Sequence, residues 1–295
     1  APLPGLRGCD MIRIRMGLLA ELGTRTLIMG ILNVTPDSFS DGGLYLQHER
    51  AIAQGLKLAE DGADIIDVGG ESTRPGANPV PVKEELRRVI PVIEGLRKES
   101  QIMISIDTYK APVAEAALAA GAEMVNDISA LRFDKAMTSL LAEHDLPVVL
   151  MHMQGEPRTM QENPRYNDVV SEVSEFLRER IAAAVAAGIA EIIIDPGIGF
   201  GKTVEHNLEI LRRLAELKAL GRPILIGPSR KSFIGQLTGA PLDERLPGTI
   251  ASVVLGIAGG ADIVRVHDVL EIKRAVQVAD AIIRGDQRWI SQSSS

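Results

Sequence analysis

Short apolar runs rich in β-branched residues alternate along the chain with longer segments in which apolar residues recur at helical spacing. The runs lie at residues 26–31, 64–68, 102–107, 124–127, 147–151, 192–195, 224–227 and 263–266. The helical segments lie at residues 49–61, 83–99, 112–120, 169–187, 205–218 and 271–284. Because most runs are continuously apolar rather than alternating, they are typical of strands buried on both faces.

Strand–helix alternation predicts a parallel sheet with helical crossovers. Eight such units within residues 26–285 predict an α/β fold of the closed (β/α)8 TIM-barrel type, folded as a single domain. Residues 1–25 are then an N-terminal extension, and residues 286–295 are a C-terminal tail. The alternative is an open doubly wound sheet, which usually begins with a glycine-rich G-x-G-x-x-G turn. The first run leads instead into residues 33–37, which lack that fingerprint, so the barrel is favoured.

Composition indicates which residues form the core and which partners and cellular compartment to expect. Of the 295 residues, 45% are hydrophobic but only 3% are aromatic, so the core must consist mainly of Ala, Val, Ile and Leu. The net charge of −7 and the lack of a long basic run give no support to a nucleic-acid partner. Cys9 is the one cysteine, which excludes an intramolecular disulfide and favours a reducing, cytoplasmic setting. No apolar stretch approaches the length of a membrane span, so no membrane partner is expected.

Polar side chains stand at or just after the end of every predicted strand. They include Asn33, Asp67, Asp107, Asn126, His152, Asp195, Lys231, Arg265 and His267. A single Asp at such a place is more often a helix cap than a catalyst, and a lone His is more often structural. Eight polar strand ends are much harder to explain by capping. Because the carboxyl ends of all strands of a parallel barrel share one face, these groups are predicted to converge on one mouth.

Four of these residues suit a flat heterocycle. Asp107 and Asp195 offer carboxylate acceptors, and Asn126 and Lys231 add an amide and a cation. A carboxylate can accept two N–H groups side by side, and an amide or ammonium can serve a ring carbonyl and a ring nitrogen. The set therefore fits the amino-pyrimidinone edge of a bicyclic ring.

A second group suits an anion. Asn33 and Arg265 with His267 lie on the first and last strands, which are neighbours in a closed barrel. An amide, a guanidinium and an imidazole together fit a phosphate or pyrophosphate. Mg²⁺ could use the Asn33 oxygen together with phosphate oxygens and waters. Ser232 is expected near a helix start, where a substrate carboxylate would meet free N–H groups.

At this point the chain resembles a known family, the dihydropteroate synthases. Residues 29–43 and 67–76 look like the two long signatures of that family. Shorter matches follow in order at residues 106–108, 126–128, 195–202, 229–232 and 265–268. The resemblance implies a transferase that condenses 6-hydroxymethyl-7,8-dihydropterin pyrophosphate with p-aminobenzoate, giving 7,8-dihydropteroate and pyrophosphate. It also implies Mg²⁺ as cofactor, a homodimer, and competition by sulfonamides at the p-aminobenzoate site.

The resemblance implies a role for each residue of the site. The pterin would be held by Asp107, Asn126, Met151, Asp195, Lys231 and Arg265. Pyrophosphate would be held by Asn33, Arg265 and His267, with Mg²⁺ on Asn33. The p-aminobenzoate site would be formed by Thr73, Arg74, Pro75, Phe200, Lys231 and Ser232, with Phe39 and Asp41 on a loop that closes over it. The residues expected to carry catalysis are Asp107, Lys231, Arg265 and His267.

Two rival hypotheses remain at this point. Another pterin-binding barrel enzyme, such as a methyltetrahydrofolate:corrinoid methyltransferase, would share the pterin residues of strands three, four and six. It would have no use for a pyrophosphate pocket or for residues 229–232. A non-catalytic pterin-binding or scaffolding protein is the second rival, and the complete polar set argues against it.

Overall fold

Strands and helices alternate through the part of the chain that the computed structural model describes, which is residues 18–35, 44–74 and 76–285. The strands are β1 (Leu27–Asn33), β2 (Ile65–Gly69), β3 (Met103–Asp107), β4 (Met124–Asp127), β5 (Val148–Met151), β6 (Ile192–Asp195), β7 (Leu225–Ile226) and β8 (Ile263–Val266). The α-helices are α1 (Leu44–Asp61), α2 (Val82–Glu99), α3 (Ala111–Ala120), α4 (Lys135–His144), α5 (Val169–Ala186), α6 (Val204–Arg212), α7 (Ser232–Thr238), α8 (Leu246–Ala258) and α9 (Val269–Ile283). Two 3₁₀ helices lie at Leu214–Leu220 and Leu242–Glu244.

The strands form one parallel sheet that curls into a barrel. Neighbouring strands follow the order β6-β5-β4-β3-β2-β1-β8-β7. An isolated bridge between Ile194 and Ile224 joins β6 to the start of β7 and closes the ring. The predicted (β/α)8 barrel is therefore confirmed, and the open sheet is excluded.

The interior of the barrel is divided into an apolar layer and a polar layer. The apolar layer, at the amino ends of the strands, consists of Leu27, Met29, Ile65, Met103, Met124, Val149, Ile193, Leu225 and Ile263. Leu18, Leu19 and Leu22, from the segment before β1, pack against this layer. Side chains two positions further along a strand point to the same face. The polar residues Asp67, Asp107, Asn126, Asp195 and Arg265 therefore face the same interior, nearer the carboxyl ends.

Helix α2 shows why the outer ring forms. Its buried residues Val89, Val92, Ile93 and Leu96 recur at helical spacing and face the sheet. Acidic residues in its first turn and basic residues in its last turn complement the helix dipole. A Cβ atom on Gly95 would lie 2.2 Å from Cδ1 of Ile52, so the close packing of α2 on α1 depends on the missing side chain.

The helices of the structure differ from the predicted ones at three places. The helix predicted at residues 205–218 is interrupted at Arg213, where a 3₁₀ helix replaces α6. Helices α4 and α8 were not predicted from the periodicity. Helix α4 is short, with as many polar as apolar residues, and α8 is apolar on most of its surface, so neither gives a clear amphipathic pattern. No helix in the described residues is long and apolar enough to cross a membrane.

Candidate active site

Arg265 links three strands at the floor of the barrel mouth. Its Nε lies 2.6 Å from Oδ2 of Asp67, and its Nη2 lies 2.7 Å from Oδ2 of Asp107. Asn126 donates from Nδ2 to the same oxygen of Asp67 at 2.9 Å. The Asp67 side chain is fully buried, and that of Asp107 is 8% exposed. The predicted convergence of Asp107, Asn126 and Arg265 is therefore what the structure shows.

Burial shifts the ionisation of the acidic groups in this mouth. It raises the pKa of Asp107, which Arg265 lowers in part and Asp67 raises further. Burial raises the pKa of Asp195 to about 6. The backbone N–H of Gly197 donates to Oδ1 of Asp195 at 2.7 Å, and this bond opposes the rise because it stabilises the charged carboxylate. Both carboxyls thus titrate closer to neutrality than exposed carboxyls do.

Lys231 lies across the aromatic ring of Phe200. Its Nζ is 4.2 Å from the ring centroid, a cation–π contact that joins the loop after β6 to the loop after β7. Burial, together with the nearby Arg265, lowers the pKa of Lys231 to about 8. A Cβ atom on Gly199, where φ is +83°, would lie 3.0 Å from Cδ of Lys231. Ser232 follows as the first residue of α7, as predicted, and is exposed.

Ser229 holds the neutral ring of His267 through Nδ1. The backbone N–H of His267 donates to Oγ of Ser229 at 3.2 Å, and that Oγ lies 3.0 Å from Nδ1 of His267. Either neutral tautomer fits this contact, because Oγ can donate to Nδ1 or accept from it. Burial, together with the nearby Arg265 and Arg230, lowers the pKa of His267 to about 3. Ser229 does not engage Nε2, which is the ring nitrogen that can donate to a ligand oxygen in the Nε2–H tautomer.

A glycine keeps the mouth open beside Asn33. Gly69 lies opposite Asn33 on one side and opposite Asp107 on the other. A Cβ atom at Gly69 would lie 3.7 Å from Oδ1 of Asn33 and 3.6 Å from Oδ2 of Asp107. With only a hydrogen there, the amide oxygen and the carboxylate face a shared space. Met151 is paired with Asp195 and packs with Phe200 in a small apolar cluster at the same end of the barrel.

The loop between β2 and α2 is fixed at its base. Lys110 donates from Nζ to Glu71 at 2.6 Å and to Glu85 at 2.5 Å. Tyr109 donates its hydroxyl to Oε1 of Glu71 at 2.7 Å, and the backbone N–H of Val80 donates to Oε2 at 2.6 Å. These bonds tie both ends of the loop to the segment that follows β3.

The tip of that loop carries two of the predicted site residues. Thr73 is half-buried there and Arg74 is exposed, and Arg74 is near enough to lower the pKa of Lys231. Phe39, Asp41 and Pro75 lie outside the described residues.

Sequence reasoning left two residues of this region without a role. Asp67 interrupts an otherwise apolar strand, which is a signal, yet its pairing with Arg265 required the three-dimensional arrangement. Lys202 closes the motif at residues 195–202, and its side chain turns inward to lie 3% exposed. Among residues 18–35, 44–74 and 76–285, no group of three or more His, Cys, Asp or Glu side chains could hold a metal ion.

Comparison with known proteins agrees with this geometry. The family model described as "Pterin binding enzyme" matches residues 29–267. The dihydropteroate synthase of Synechocystis sp. is 52% identical over 269 residues, covering 90% of this chain and 93% of the relative. That of Escherichia coli K12 is 49% identical over 258 residues, covering 87% of this chain and 91% of the relative.

Solved structures agree as well. The Clostridium difficile dihydropteroate synthase, determined in the presence of pteroic acid, superposes with a TM-score of 0.85 at 52% identity, covering 90% of this chain and 99% of that one. The Xanthomonas albilineans enzyme with 4-aminobenzoic acid gives a TM-score of 0.83 at 51% identity, covering 88% and 93%. The Yersinia pestis enzyme in complex with a sulfonamide gives 0.83 at 44% identity, covering 88% and 94%.

Proposed function

This chain belongs to the pterin-binding enzymes and, within them, to the dihydropteroate synthases, and on that premise we propose how its residues carry out the reaction. The reaction joins 6-hydroxymethyl-7,8-dihydropterin pyrophosphate to p-aminobenzoate and releases 7,8-dihydropteroate and pyrophosphate. The observation that carries the assignment of roles is the buried junction of Arg265 with Asp67 and Asp107, since it places a charged, hydrogen-bonding floor at one end of the barrel.

The pterin ring would lie on this floor. Asp107 and Asn126 face it from β3 and β4, and Asp195 faces it from β6. These groups can bond the amino and amide edge of the ring, with Lys231 serving the ring carbonyl or nitrogen. The guanidinium of Arg265 would pack on the ring face, and Met151 would line the pocket. A ligand without that edge would leave buried polar groups unpaired, which makes such sites selective.

The pyrophosphate would lie between β1 and β8. The guanidinium of Arg265 and the Nε2–H of His267 are suited to bind its oxygens, and the Asn33 amide stands beside them. Asn33 also fits Mg²⁺, because this ion takes few protein ligands and completes its shell with phosphate oxygens and water. Bound Mg²⁺ would neutralise charge on the leaving group.

The p-aminobenzoate would lie on the outer side of the pterin. Phe200 and the stem of Lys231 would cover its ring, and Ser232 would bond its carboxylate. Thr73 and Arg74, from the β2–α2 loop, would complete the wall. We assign Pro75 to the same wall and Phe39 and Asp41 to the closing loop by family resemblance, since they lie outside the described residues.

The chemistry is a substitution at the pterin methylene group. The C–O bond to pyrophosphate breaks, and the electron pair leaves with the pyrophosphate, where His267 and Arg265 stabilise it. The cation that remains is delocalised into the pterin ring and is stabilised by Asp107. The amine nitrogen of p-aminobenzoate then forms the new C–N bond and loses a proton. Loop closure would keep water from capturing the cation.

Release of pyrophosphate tests the function. Mixing both substrates with the protein and Mg²⁺ should yield pyrophosphate and dihydropteroate in equal amounts. Neither a corrinoid methyltransferase nor a non-catalytic pterin binder would release pyrophosphate from this mixture. Asp107→Ala and Lys231→Ala should each abolish turnover while the circular dichroism spectrum stays that of the folded barrel. Near-wild-type rates in either variant would refute the role given to that residue.

We also propose a homodimer formed through α8 and α9. Leu255, Val278 and Ile282 are 64%, 60% and 77% exposed on these two helices, which pack side by side. Exposed apolar side chains on two helices that pack against each other favour contact with another protein surface. Ile282→Lys should lower the mass measured by light scattering to that of a monomer. The single cysteine agrees with a cytoplasmic, reducing location, which we propose as well.

A further inference from the structure

Lys202 is a buried cation that forms no ion pair with a carboxylate of the described residues. Its Nζ lies 2.9 Å from the backbone oxygen of Phe200 and 2.9 Å from Nδ1 of His152. The backbone oxygen of His152 is 3.5 Å away. Burial of an ammonium is costly unless its protons are hydrogen-bonded, and here these three acceptors meet that need.

The ammonium lies where two backbone segments touch. Gly197 has φ +71°, and a Cβ atom there would lie 1.9 Å from the backbone oxygen of His152. Gly201 has φ +60°, and a Cβ atom there would lie 2.6 Å from the backbone oxygen of Gln154. The loop after β6 therefore rests directly on the segment after β5. Lys202 binds carbonyl groups of both segments and so fixes one against the other.

His152 is suited to accept from this ammonium because it is neutral. Burial, together with the nearby Lys202 and Arg132, lowers its pKa to about 2. Its ring is held in place by an edge-to-face contact with Phe176, with 4.9 Å between centroids. An ammonium can only donate, so Nδ1 is the acceptor in this contact and the ring proton then lies on Nε2. Burial lowers the pKa of Lys202 to about 7, Asp195 opposes this shift, and Lys231 adds to it.

We propose that Lys202 is a positioning residue for the p-aminobenzoate subsite. By holding the Phe200 carbonyl against His152, it sets the place of the Phe200 ring, and through the cation–π contact it sets that of Lys231. Lys202 itself lies behind the wall and does not touch substrate. The inference rests on the proposed function, in which Phe200 covers p-aminobenzoate.

Lys202→Met tests this, because it keeps the apolar stem and removes the donors. Steady-state pyrophosphate release should show KM for p-aminobenzoate raised about tenfold, with KM for the pterin pyrophosphate changed less than about twofold. Leu141→Ala is the matched control, since it truncates a fully buried side chain on α4, outside both loops. It should lower the melting temperature and leave both KM values unchanged.

Phe200→Leu separates this inference from the proposed function. If Phe200→Leu raises KM for p-aminobenzoate and Lys202→Met does not, the positioning role is wrong. If neither variant changes it, the placement of p-aminobenzoate itself fails. An equal rise of both KM values in Lys202→Met would also overturn the role, because it would mean general disorder of the mouth.

Should Lys202→Met fail to fold, His152→Phe tests the positioning role instead. It keeps the ring packing but removes the Nδ1 acceptor, and it should raise KM for p-aminobenzoate selectively; no change there overturns the proposal.

Discussion

The Oδ2 atom of Asp67 lies 2.6 Å from Nε of Arg265 and also accepts from Asn126 at 2.9 Å. One fully buried oxygen therefore orients two groups that face the pterin. Asp67→Asn removes the charge that fixes the guanidinium while keeping a similar shape. We expect kcat/KM for the pterin substrate to fall by about one to two orders of magnitude, and the melting temperature to fall because a buried ion pair is broken. Unaltered kinetics in a folded Asp67→Asn variant would contradict this.

His267→Leu should weaken pyrophosphate binding more than p-aminobenzoate binding. The leucine keeps a branched apolar side chain but has no nitrogen that can donate to the ligand, whereas Nε2 of His267 is the ring nitrogen that Ser229 leaves free. Titration calorimetry is carried out with pyrophosphate and Mg²⁺, and separately with p-aminobenzoate in the presence of a pterin. For each ligand it gives the ratio of the dissociation constant of the variant to that of wild type. A larger loss for p-aminobenzoate would refute the placement of the anion between β1 and β8.

Asp195 should make the stability of the ligand-free protein depend on pH. Its pKa is raised from 3.8 to about 6 by burial, so its protonated form is the one that folding favours. The stability it contributes is full below the unfolded pKa and is lost as pH rises through the folded pKa. Asp195→Asn stays uncharged throughout. The melting temperature of the variant minus that of wild type should therefore increase between about pH 4 and 6. A flat difference would show that the carboxyl is not raised.

Gly95→Ala should destabilise the barrel by about 1 to 3 kcal/mol, because the added methyl group would clash with Cδ1 of Ile52. Urea unfolding measures the loss. Ile52→Val removes Cδ1, the nearer of two clashing atoms, and leaves Cγ1, which would lie 2.7 Å from the added methyl group. The double variant should therefore recover part of the lost stability, whereas independent sites would give additive losses. The specific activity of folded Gly95→Ala should equal that of wild type, because both residues lie on the outer helices.

The sequence predicted much of this arrangement for physical reasons. Strand ends of a parallel barrel share a face, so Asp107, Asn126 and Arg265 could be placed together from their positions alone. The role of Asp67 could not, because a strand position gives a direction but not the neighbour that a side chain meets across the barrel. The role of Lys202 could not be predicted either, since the side chain turns back beneath its own loop, and the carbonyl groups that it reaches depend on how that loop folds.

The accuracy of the helix predictions also depended on the local pattern of apolar residues. Helix α2 has one apolar face and was predicted within one residue at its start. Helix α8 is mostly apolar around its circumference, so periodicity does not distinguish it from a strand or a buried loop. The two-residue strand β7 was predicted longer than it is, and Pro223 and Pro228 lie close to its ends.

Inside the barrel, strands β2, β3, β4, β6 and β8 each contribute to the apolar layer and, two or four residues further along, to the polar layer. An extra residue inserted between Met103 and Asp107 would turn the carboxylate outward among the helices and bring an apolar neighbour inward. Changes of length are therefore tolerated in the connecting loops but not within the strands. The loops around the mouth of the barrel can grow during evolution, whereas a strand that gains one residue loses its polar side chains from the site.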